Sequence, residues 1–581
     1  MSVLLLFGCA TQNQQLKMND SKEQFKNGDL HSTVATIQTA FKDKNTLYYM
    51  ELGGVQRLQG SAQVANSTQS LLAADQLVGQ WEIDTTDKLK RSFSNMGAYV
   101  LSEGFSSNYD PKPYEVTYLS QTLALNHLSQ GRWSDAMVEA KKMAQREKVI
   151  EELIQGKVAA VSKTEEIQQN NHTTRGATSR IQDINGYPIN LLDDEETRAL
   201  KNSYQNPGAY YLSGFIHESQ GEASLAAPGY RLAIELKPSV NFFKTSIAKL
   251  DSNIADQNKK SFADTLIIID TGYLPKITPH RISQTFNFGG NSKLMTLTFP
   301  VIEQSTERFT PTLIQVGDRV ANPELVTNLE AMARKNLHDE MPGYVLRASS
   351  RALVSLAAQY AADQAAQQAA RRNNQNGQNN TAVIIGAIAG LITGYGLQAI
   401  NVTDVRHWST LPAQTYMARM GLPIGPNVLK YRTPSGVILS QTVNLVGGYN
   451  VIYIRMFRNR ATILTSNDPV VLPNAGQVIK PADFAIAPDQ SASSLALPTQ
   501  PTAVKPNEGV FEGFKKLIGG FMESKPEESV VATQAVSPAS TPNLALEAQS
   551  ADSPSAAGGK IEDAKPQESP NLLNSLQQLF N

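Results

Sequence analysis

Glycines that separate pairs of helix-like segments constrain the fold of this chain more than any other feature. Four glycines each follow one amphipathic segment and precede another: Gly28, Gly60, Gly131 and Gly221. On both sides of Gly221, apolar and small residues recur every three or four positions, which is the periodicity of one helix face. Glycine adopts the left-handed backbone that commonly ends a helix. The sequence therefore predicts a series of helix-turn-helix units.

The unit around Gly221 resembles a tetratricopeptide repeat (TPR), which is a helix-turn-helix of about 34 residues. Small residues at Gly214 and Ala226 allow two helices to approach closely, and Pro238 stops the second helix. The residues that match the repeat in this copy and in an earlier one are Gly131, Trp133, Ala136, Gly214, Gly221, Ala226, Tyr230 and Pro238. We therefore expect a TPR-like α-solenoid over residues 20–260, with an irregular helical bundle as the alternative.

A β-rich domain is expected after this helical region, so the predicted fold class is α+β. Short apolar or alternating runs bounded by Gly, Pro and Asn predict strands at residues 266–269, 294–299, 313–316, 414–420, 436–445 and 449–457. We expect residues 261–343 and 402–480 to be two halves of one domain. A helix is also expected after Asn322-Pro323, with its buried face at Val326, Leu329, Ala333 and Leu337.

Residues 344–401, between the two groups of strands, are rich in Ala and Gly and predict a helical hairpin that interrupts the β-rich domain. Gly386, Gly390 and Gly394 lie four residues apart and form a flat ridge against which another helix can pack. At about 19 residues, the apolar span 382–400 is just long enough to cross a bilayer. Packing within the hairpin, membrane insertion and contact between copies of the chain all remain open.

The chain contains one cysteine, Cys9, which follows a short apolar run and precedes polar sequence. This arrangement predicts a lipoprotein signal at residues 1–9, in which the Cys9 thiol carries diacylglycerol and the new amino terminus is acylated. The apolar run is shorter than the about 7 to 15 residues of a usual signal, so we expect the true start to lie upstream. Ala10 is typical of Gram-negative lipoproteins sorted to the outer membrane. A buried strand with an inert Cys9 is the alternative.

Composition and motifs argue against several classes of function. Lys plus Arg number 52 and Asp plus Glu number 53, so no net charge favours nucleic acid. The sequence has no phosphate-binding glycine loop and no Gly-x-Ser-x-Gly nucleophile motif. His338 beside Asp339 lacks further metal ligands at suitable spacing. We therefore expect no cofactor, no metal and no catalysis. A cell-wall enzyme acting through paired carboxylates is the remaining enzymatic alternative.

Beyond residue 480 the sequence becomes rich in Pro, Ser, Ala, Gln and Glu, which predicts a disordered tail over residues 481–581. Two short amphipathic segments, near residues 511–521 and 572–580, interrupt this tail. Trp408 stands apart as an aromatic residue between two predicted elements. It is interpreted either as an exposed binding residue or as a core residue at a junction.

Five segments together resemble a poorly characterised family of Gram-negative tetratricopeptide lipoproteins. The segments are residues 109–115, 138–142, 206–207, 270–276 and 408–412. The resemblance implies an envelope-anchored periplasmic protein without a known catalytic site. We therefore expect an outer-membrane lipoprotein whose repeats present a concave surface to envelope proteins of an assembly or secretion machine. A membrane-inserting or oligomerising subunit that uses the glycine-rich helix is the alternative.

Overall fold

A computed structural model describes residues 17–91, 109–170, 188–256, 261–288, 291–349, 403–466, 471–480 and 484. The fold is mixed α+β, with helices in the N-terminal part and most strands in the C-terminal part. Within these ranges, no helix is both long enough and apolar enough to span a membrane. The predictions for Cys9, for Gly386, Gly390 and Gly394, and for the tail other than Phe484 concern residues outside the described ones.

Helices occupy most of the first 256 residues. In chain order they are α1 (17–26), α2 (Leu30–Ala40), α3 (Thr46–Gln56), α4 (Ser61–Arg91), α5 (Pro113–Ser129), α6 (Trp133–Asn170), a 3₁₀ turn (Pro188–Leu191), α7 (Glu195–Arg198), α8 (Pro207–Ser219), α9 (Ala223–Leu236), α10 (Asn241–Ala248) and α11 (Leu250–Ala255). A later helix, α12 (329–349), lies among the strands. Side chains of Asp29, Asn45 and Asn206 cap α2, α3 and α8 by accepting backbone N–H bonds.

Glycine turns join the helices in pairs, and the predicted helix-turn-helix units are present. Gly131 has φ +71° between α5 and α6, and Gly221 has φ +77° between α8 and α9. This left-handed backbone favours glycine because other residues carry a Cβ that clashes. A Cβ added at Gly214 would come within 2.7 Å of the Tyr230 ring, so α8 and α9 pack closely only because Gly214 lacks one.

The strands form two sheets and a separate ribbon. They are β1 (Ala263–Thr271), β2 (Ile277–Phe288), β3 (Asn291–Ile302), β4 (Ile314–Val316), β5 (Arg319–Ala321), β6 (Glu324–Asn328), β7 (Gln414–Leu422), β8 (Gly425–Arg432), β9 (Ile438–Leu445), β10 (Gly448–Met456), β11 (Ala461–Thr465), β12 (Val471–Ala475) and β13 (Gln477–Val478). One sheet has the order β12-β11-β10-β1-β7-β6 and the other β13-β9-β8-β4-β5, whereas β2 pairs with β3. All six predicted strands are confirmed.

The central strand β1 shows how the layers are arranged. It pairs in parallel with β10 and antiparallel with β7, so strands from both sides of residues 344–401 share one sheet. Leu266 and Ile268 point into the core that the sheet shares with the helices. Ile267 and Ile269 point into a second core, between the two sheets. The protein therefore has three layers: helices, the six-stranded sheet and the five-stranded sheet.

Two details differ from the sequence prediction. Val326, expected on a helix face, lies in β6, because β6 gains its backbone hydrogen bonds by pairing with β7 along the sheet edge. The following helix, α12, begins at residue 329 and passes through residue 344, where the hairpin was expected to begin. One apolar core contains side chains from both sides of residues 260 and 261.

Candidate functional site at the helix–sheet junction

The first and second helices of each pair have different surroundings. All 17 residues of α5 are buried, and so are 11 of the 13 residues of α8. Only four of the 14 residues of α9 are buried. A helix buried all round must lie between two layers. We call α3, α5 and α8 the inner helices, because they lie against the six-stranded sheet, and α4, α6 and α9 the outer helices.

One face of the inner helices is therefore not exposed. Strands of the chain itself cover that face, through contacts such as those of Tyr118 on α5 and Glu218 on α8 with the sheet. The helix–sheet junction, where these contacts occur, buries several charged and polar side chains. Three clusters of side chains make up this junction.

The first cluster surrounds Asp270, a buried acid on β1. Its Oδ2 accepts hydrogen bonds from the hydroxyls of Tyr118, at 2.6 Å, and Tyr453, at 2.8 Å. Its Oδ1 accepts from Thr415 Oγ1 at 2.6 Å. Burial raises the pKa of both tyrosine hydroxyls, so they stay protonated and remain donors. The Arg57 guanidinium lies 4.2 Å from the centre of the Tyr453 ring. One carboxylate thus joins an inner helix to three strands.

The second cluster is an ion-pair network centred on Arg419 of β7. Arg419 Nη2 lies 2.7 Å from Asp264 Oδ2 on β1 and 2.6 Å from Glu218 Oε1 on α8. The hydroxyls of Tyr230 and Tyr449 also donate to Glu218. Glu218 and Asp264 are buried and the Arg419 side chain is only 9% exposed, and charges so far from water require partners. Arg419 supplies the positive charge for both acids and connects the sheet to the inner helix.

The third cluster holds residues 408–410, which follow the predicted hairpin. Glu51 Oε1 accepts from the backbone N–H of Ser409 at 2.6 Å, and Glu51 Oε2 accepts from Thr410 Oγ1 at 2.7 Å. Glu115 Oε1 accepts from the backbone N–H of Trp408 at 2.6 Å. Burial raises the pKa of Glu51 and raises that of Glu115 to about 6. We call Glu51, Glu115 and residues 408–410 the carboxylate clasp.

Trp408 lies inside the carboxylate clasp and is 1% exposed. Its indole N–H donates to Thr410 Oγ1 at 3.1 Å, and its ring contacts the Tyr118 ring edge to face at 6.0 Å. A Cβ at Gly54 would lie 3.1 Å from the indole, so the glycine makes room for it. Trp408 is therefore a core residue at a junction, and the interpretation as an exposed binding aromatic is wrong.

The residues that matched the repeat motif lie where the paired helices touch one another. Trp133 begins α6 and packs 6.3 Å from the Phe215 ring. Ala136, Ala226 and Tyr230 are fully buried. The remaining members occupy the turns and the close contact described above, apart from Pro238, which follows α9 directly. This set supports helix packing and contributes one polar group, the Tyr230 hydroxyl, to the junction.

The acids of the junction were not singled out from the sequence, although one signal was present. Asp264 and Asp270 bracket the apolar run 266–269, and both have even numbers, which places them on one face of a strand. Nothing in the sequence indicates their partners, which lie in distant segments. Glu51, for example, is 358 residues from Ser409.

The described acids of the junction have their hydrogen-bond and ion-pair partners within the chain itself. The acids of the three clusters accept several hydrogen bonds or face Arg419. His338 pairs with Asp339 at 3.1 Å, and no group of three potential metal ligands occurs among the described residues. A cleft between α5, α6 and α8 has room for about one water molecule. Such an arrangement fixes chain segments in place.

The helix that precedes residues 350–402 is anchored as firmly as the segment that follows them. On α12, the buried Arg334 guanidinium forms ion pairs with Glu330 at 2.8 Å, Glu196 at 2.9 Å and Asp194 at 2.7 Å. The carboxylate clasp holds the other end. The Arg334 ion pairs and the carboxylate clasp thus fix the described chain on both sides of residues 350–402. Comparison with protein-family models, curated proteins and solved structures gives no match for this chain.

Proposed function

We propose that this chain is a non-catalytic outer-membrane lipoprotein that acts as a scaffold for envelope proteins in an assembly or secretion complex. The apolar run before Cys9 supports a lipid anchor on the periplasmic face of that membrane. The helix pairs with glycine turns support a TPR-like architecture for residues 20–260. The acids of the junction accept hydrogen bonds from the chain or pair with Arg419, which supports a structural role for the charged groups buried there.

The single observation that carries the scaffold proposal is the contrast between inner and outer helices. The inner helices are covered by the sheet, whereas the outer helices carry large apolar side chains that water reaches. These side chains are Leu72, Leu77 and Ile83 on α4, Val138 and Val158 on α6, and Leu225 on α9. Exposed apolar side chains mark protein-binding surfaces where they form a contiguous patch, and we infer that those of the outer helices do so. We therefore assign partner binding to the outer helices.

Site-specific crosslinking in intact envelopes tests this assignment. A photoreactive amino acid replaces Ile83 or Val138, which are 59% and 57% exposed, in the full-length chain. The matched control sites are Val320 and Val478, which are exposed on strands of the five-stranded sheet. We expect the outer-helix sites to give a discrete crosslinked product and the control sites to give none. Equal products at all four sites, or none at any, would contradict the proposal.

The anchor is tested separately through Cys9. We expect the mass of the native polypeptide to include a diacylglycerol on Cys9, and Cys9→Ser to release the protein from membranes. A native polypeptide with a free thiol at Cys9 would remove the support for an outer-membrane location. It would leave the crosslinking result unaffected, so the two parts of the proposal fail independently.

A further inference from the structure

The ribbon formed by β2 and β3 extends beyond the three layers. Each strand has 12 residues, so the ribbon is about 40 Å long. The two strands are in register from Ile277 opposite Ile302 to Phe288 opposite Asn291. Within the described residues, neither strand pairs with any other strand. The ribbon is therefore a two-stranded element with two open edges.

One face of the ribbon is supported by the core. Leu297 and Phe299 are fully buried, and Ile282 and Met295 are half-buried against the same core. On the opposite face of the ribbon, Ser283, Thr285 and Thr296 are exposed. Leu294 is 70% exposed. Two strands without a third are only marginally stable in water. The second face of this ribbon, which also carries Arg281, thus presents the apolar side chain of Leu294 with no covering layer in the described structure.

The ribbon and the residues just before it carry positive charge only. Residues 271–302 contain Lys276, Arg281 and Lys293 but neither Asp nor Glu, although the whole chain has 53 acids in 581 residues. Arg281 is exposed on the ribbon. A basic and apolar surface is complementary to an anionic lipid surface, where phosphates attract the cations and the interface accepts apolar side chains.

We propose that the exposed face of the β2–β3 ribbon binds the surface of a bilayer that contains anionic phospholipid, with Leu294 entering the interface and Arg281 facing lipid phosphates. The charges argue against a second copy of the chain as the occupant. Pairing two ribbons edge to edge would bring their cations together without any acid from either ribbon to compensate. This inference goes beyond the scaffold function and does not depend on the lipid at Cys9.

Vesicle flotation with the full-length chain tests the proposal. Cys9→Ser protein, which carries no lipid, is mixed with phosphatidylcholine vesicles that contain or lack phosphatidylglycerol. We expect binding only to the anionic vesicles, and weaker binding as salt is added, because salt screens the attraction. Equal binding to both vesicle types, or to neither, would overturn the proposal.

Two substitutions and a matched control assign the contact to the ribbon. Arg281→Gln is expected to weaken binding to anionic vesicles about fivefold, the effect of one cation near such a surface. Leu294→Gln is expected to weaken binding to a similar extent. Val478→Gln should have no effect, because Val478 is equally exposed, at 74%, but lies on β13. Thermal unfolding checks that each variant is folded.

Wild-type affinity in Arg281→Gln, or an equal loss in the Val478→Gln control, would refute the assignment to the ribbon. Sedimentation without vesicles addresses the rival occupant. Self-association of Cys9→Ser protein that Leu294→Gln abolishes would assign the ribbon to a second copy and would overturn the lipid proposal.

Discussion

The two faces of the six-stranded sheet belong to the same strands but are stabilised in different ways. The face toward the second sheet is apolar, with Ile267, Ile452 and Ile463 in its core. The face toward the inner helices adds charged groups, including Asp270 and Arg419, to its apolar side chains. Hydrophobic burial is non-directional, whereas buried ion pairs and hydrogen bonds require particular partners. Apolar contacts therefore hold the layers together, while polar contacts determine the position of the helices on the sheet.

The difference also predicts which face tolerates change. Removing a methylene from an apolar core costs about 0.5–1.5 kcal/mol. Removing one member of a buried ion pair costs about 3–5 kcal/mol, because the remaining charge stays buried without a partner. Single substitutions at the helix face should therefore be the more destabilising ones, even where the apolar face buries as many side chains.

Arg419→Met should produce the largest loss. The substitution leaves Glu218 and Asp264 buried without a cation, and we expect the free energy of unfolding to fall by about 3–5 kcal/mol. Urea denaturation measures the loss. The matched change on the apolar face, Ile452→Val, should cost about 0.5–1.5 kcal/mol. Similar losses in the two variants would show that the faces do not differ in the way described.

Glu51→Ala should give the next largest loss. It leaves the backbone N–H of Ser409 and the hydroxyl of Thr410 without their acceptor, at a cost of about 1–3 kcal/mol for a buried group. Hydrogen exchange should accelerate at residues 408–410 more than in β9, which lies in the other sheet. Unchanged exchange at the carboxylate clasp would contradict the anchoring role of Glu51.

Glu147→Gln should alter the pH dependence of stability. Glu147 accepts a hydrogen bond from the Tyr210 hydroxyl between an outer and an inner helix, and burial raises its pKa to about 9. The folded protein therefore keeps this carboxyl protonated where the unfolded chain ionises it. The resulting stability is present below about pH 4.5 and is lost as the pH rises toward about 9.

Glutamine mimics the protonated acid, so Glu147→Gln and wild type should be nearly equal in stability at pH 5. At pH 8 the variant should be more stable by about 1 kcal/mol or more. Thermal unfolding at the two values measures the difference. If Glu147→Gln changes the stability by the same amount at pH 5 and at pH 8, then Glu147 is ionised in the folded protein.

Ile83→Gln should have the smallest effect. Its side chain is exposed on the outer helix α4, and substitutions at such positions change stability by less than about 0.5 kcal/mol. Urea denaturation of the purified protein measures this effect. A loss comparable to that of Ile452→Val would show that Ile83 is packed in solution, and the outer helices would then lose their role as a binding surface.

Local patterns in the sequence predicted the elements of this fold well where those patterns are strong. The turn glycines Gly131 and Gly221 marked the helix pairs, and apolar runs marked six strands. Strands such as β2 and β8 were missed because their residues mix polar and apolar types without a strong run. Val326 was assigned to a helix because its spacing fits one, whereas pairing with β7 decides its conformation.

The candidate site was predicted only in part. Trp408 was recognised as a residue of interest, but both an exposed and a buried role were open. Only the structure shows that Glu115, 293 residues away, binds its backbone N–H. Contacts over such separations depend on how whole elements pack, and no local periodicity encodes them.

Local sequence is sufficient to specify the helix pairs, the strands with strong apolar runs and the two faces of β1, because backbone conformation and side-chain periodicity are local properties. The tertiary structure decided that the inner helices are covered by the sheet and that Glu51, Asp270 and Arg419 join the layers. It did so because a buried charge acquires its partners only when distant segments meet, and the fold that satisfies all of these charges together is a property of the whole chain.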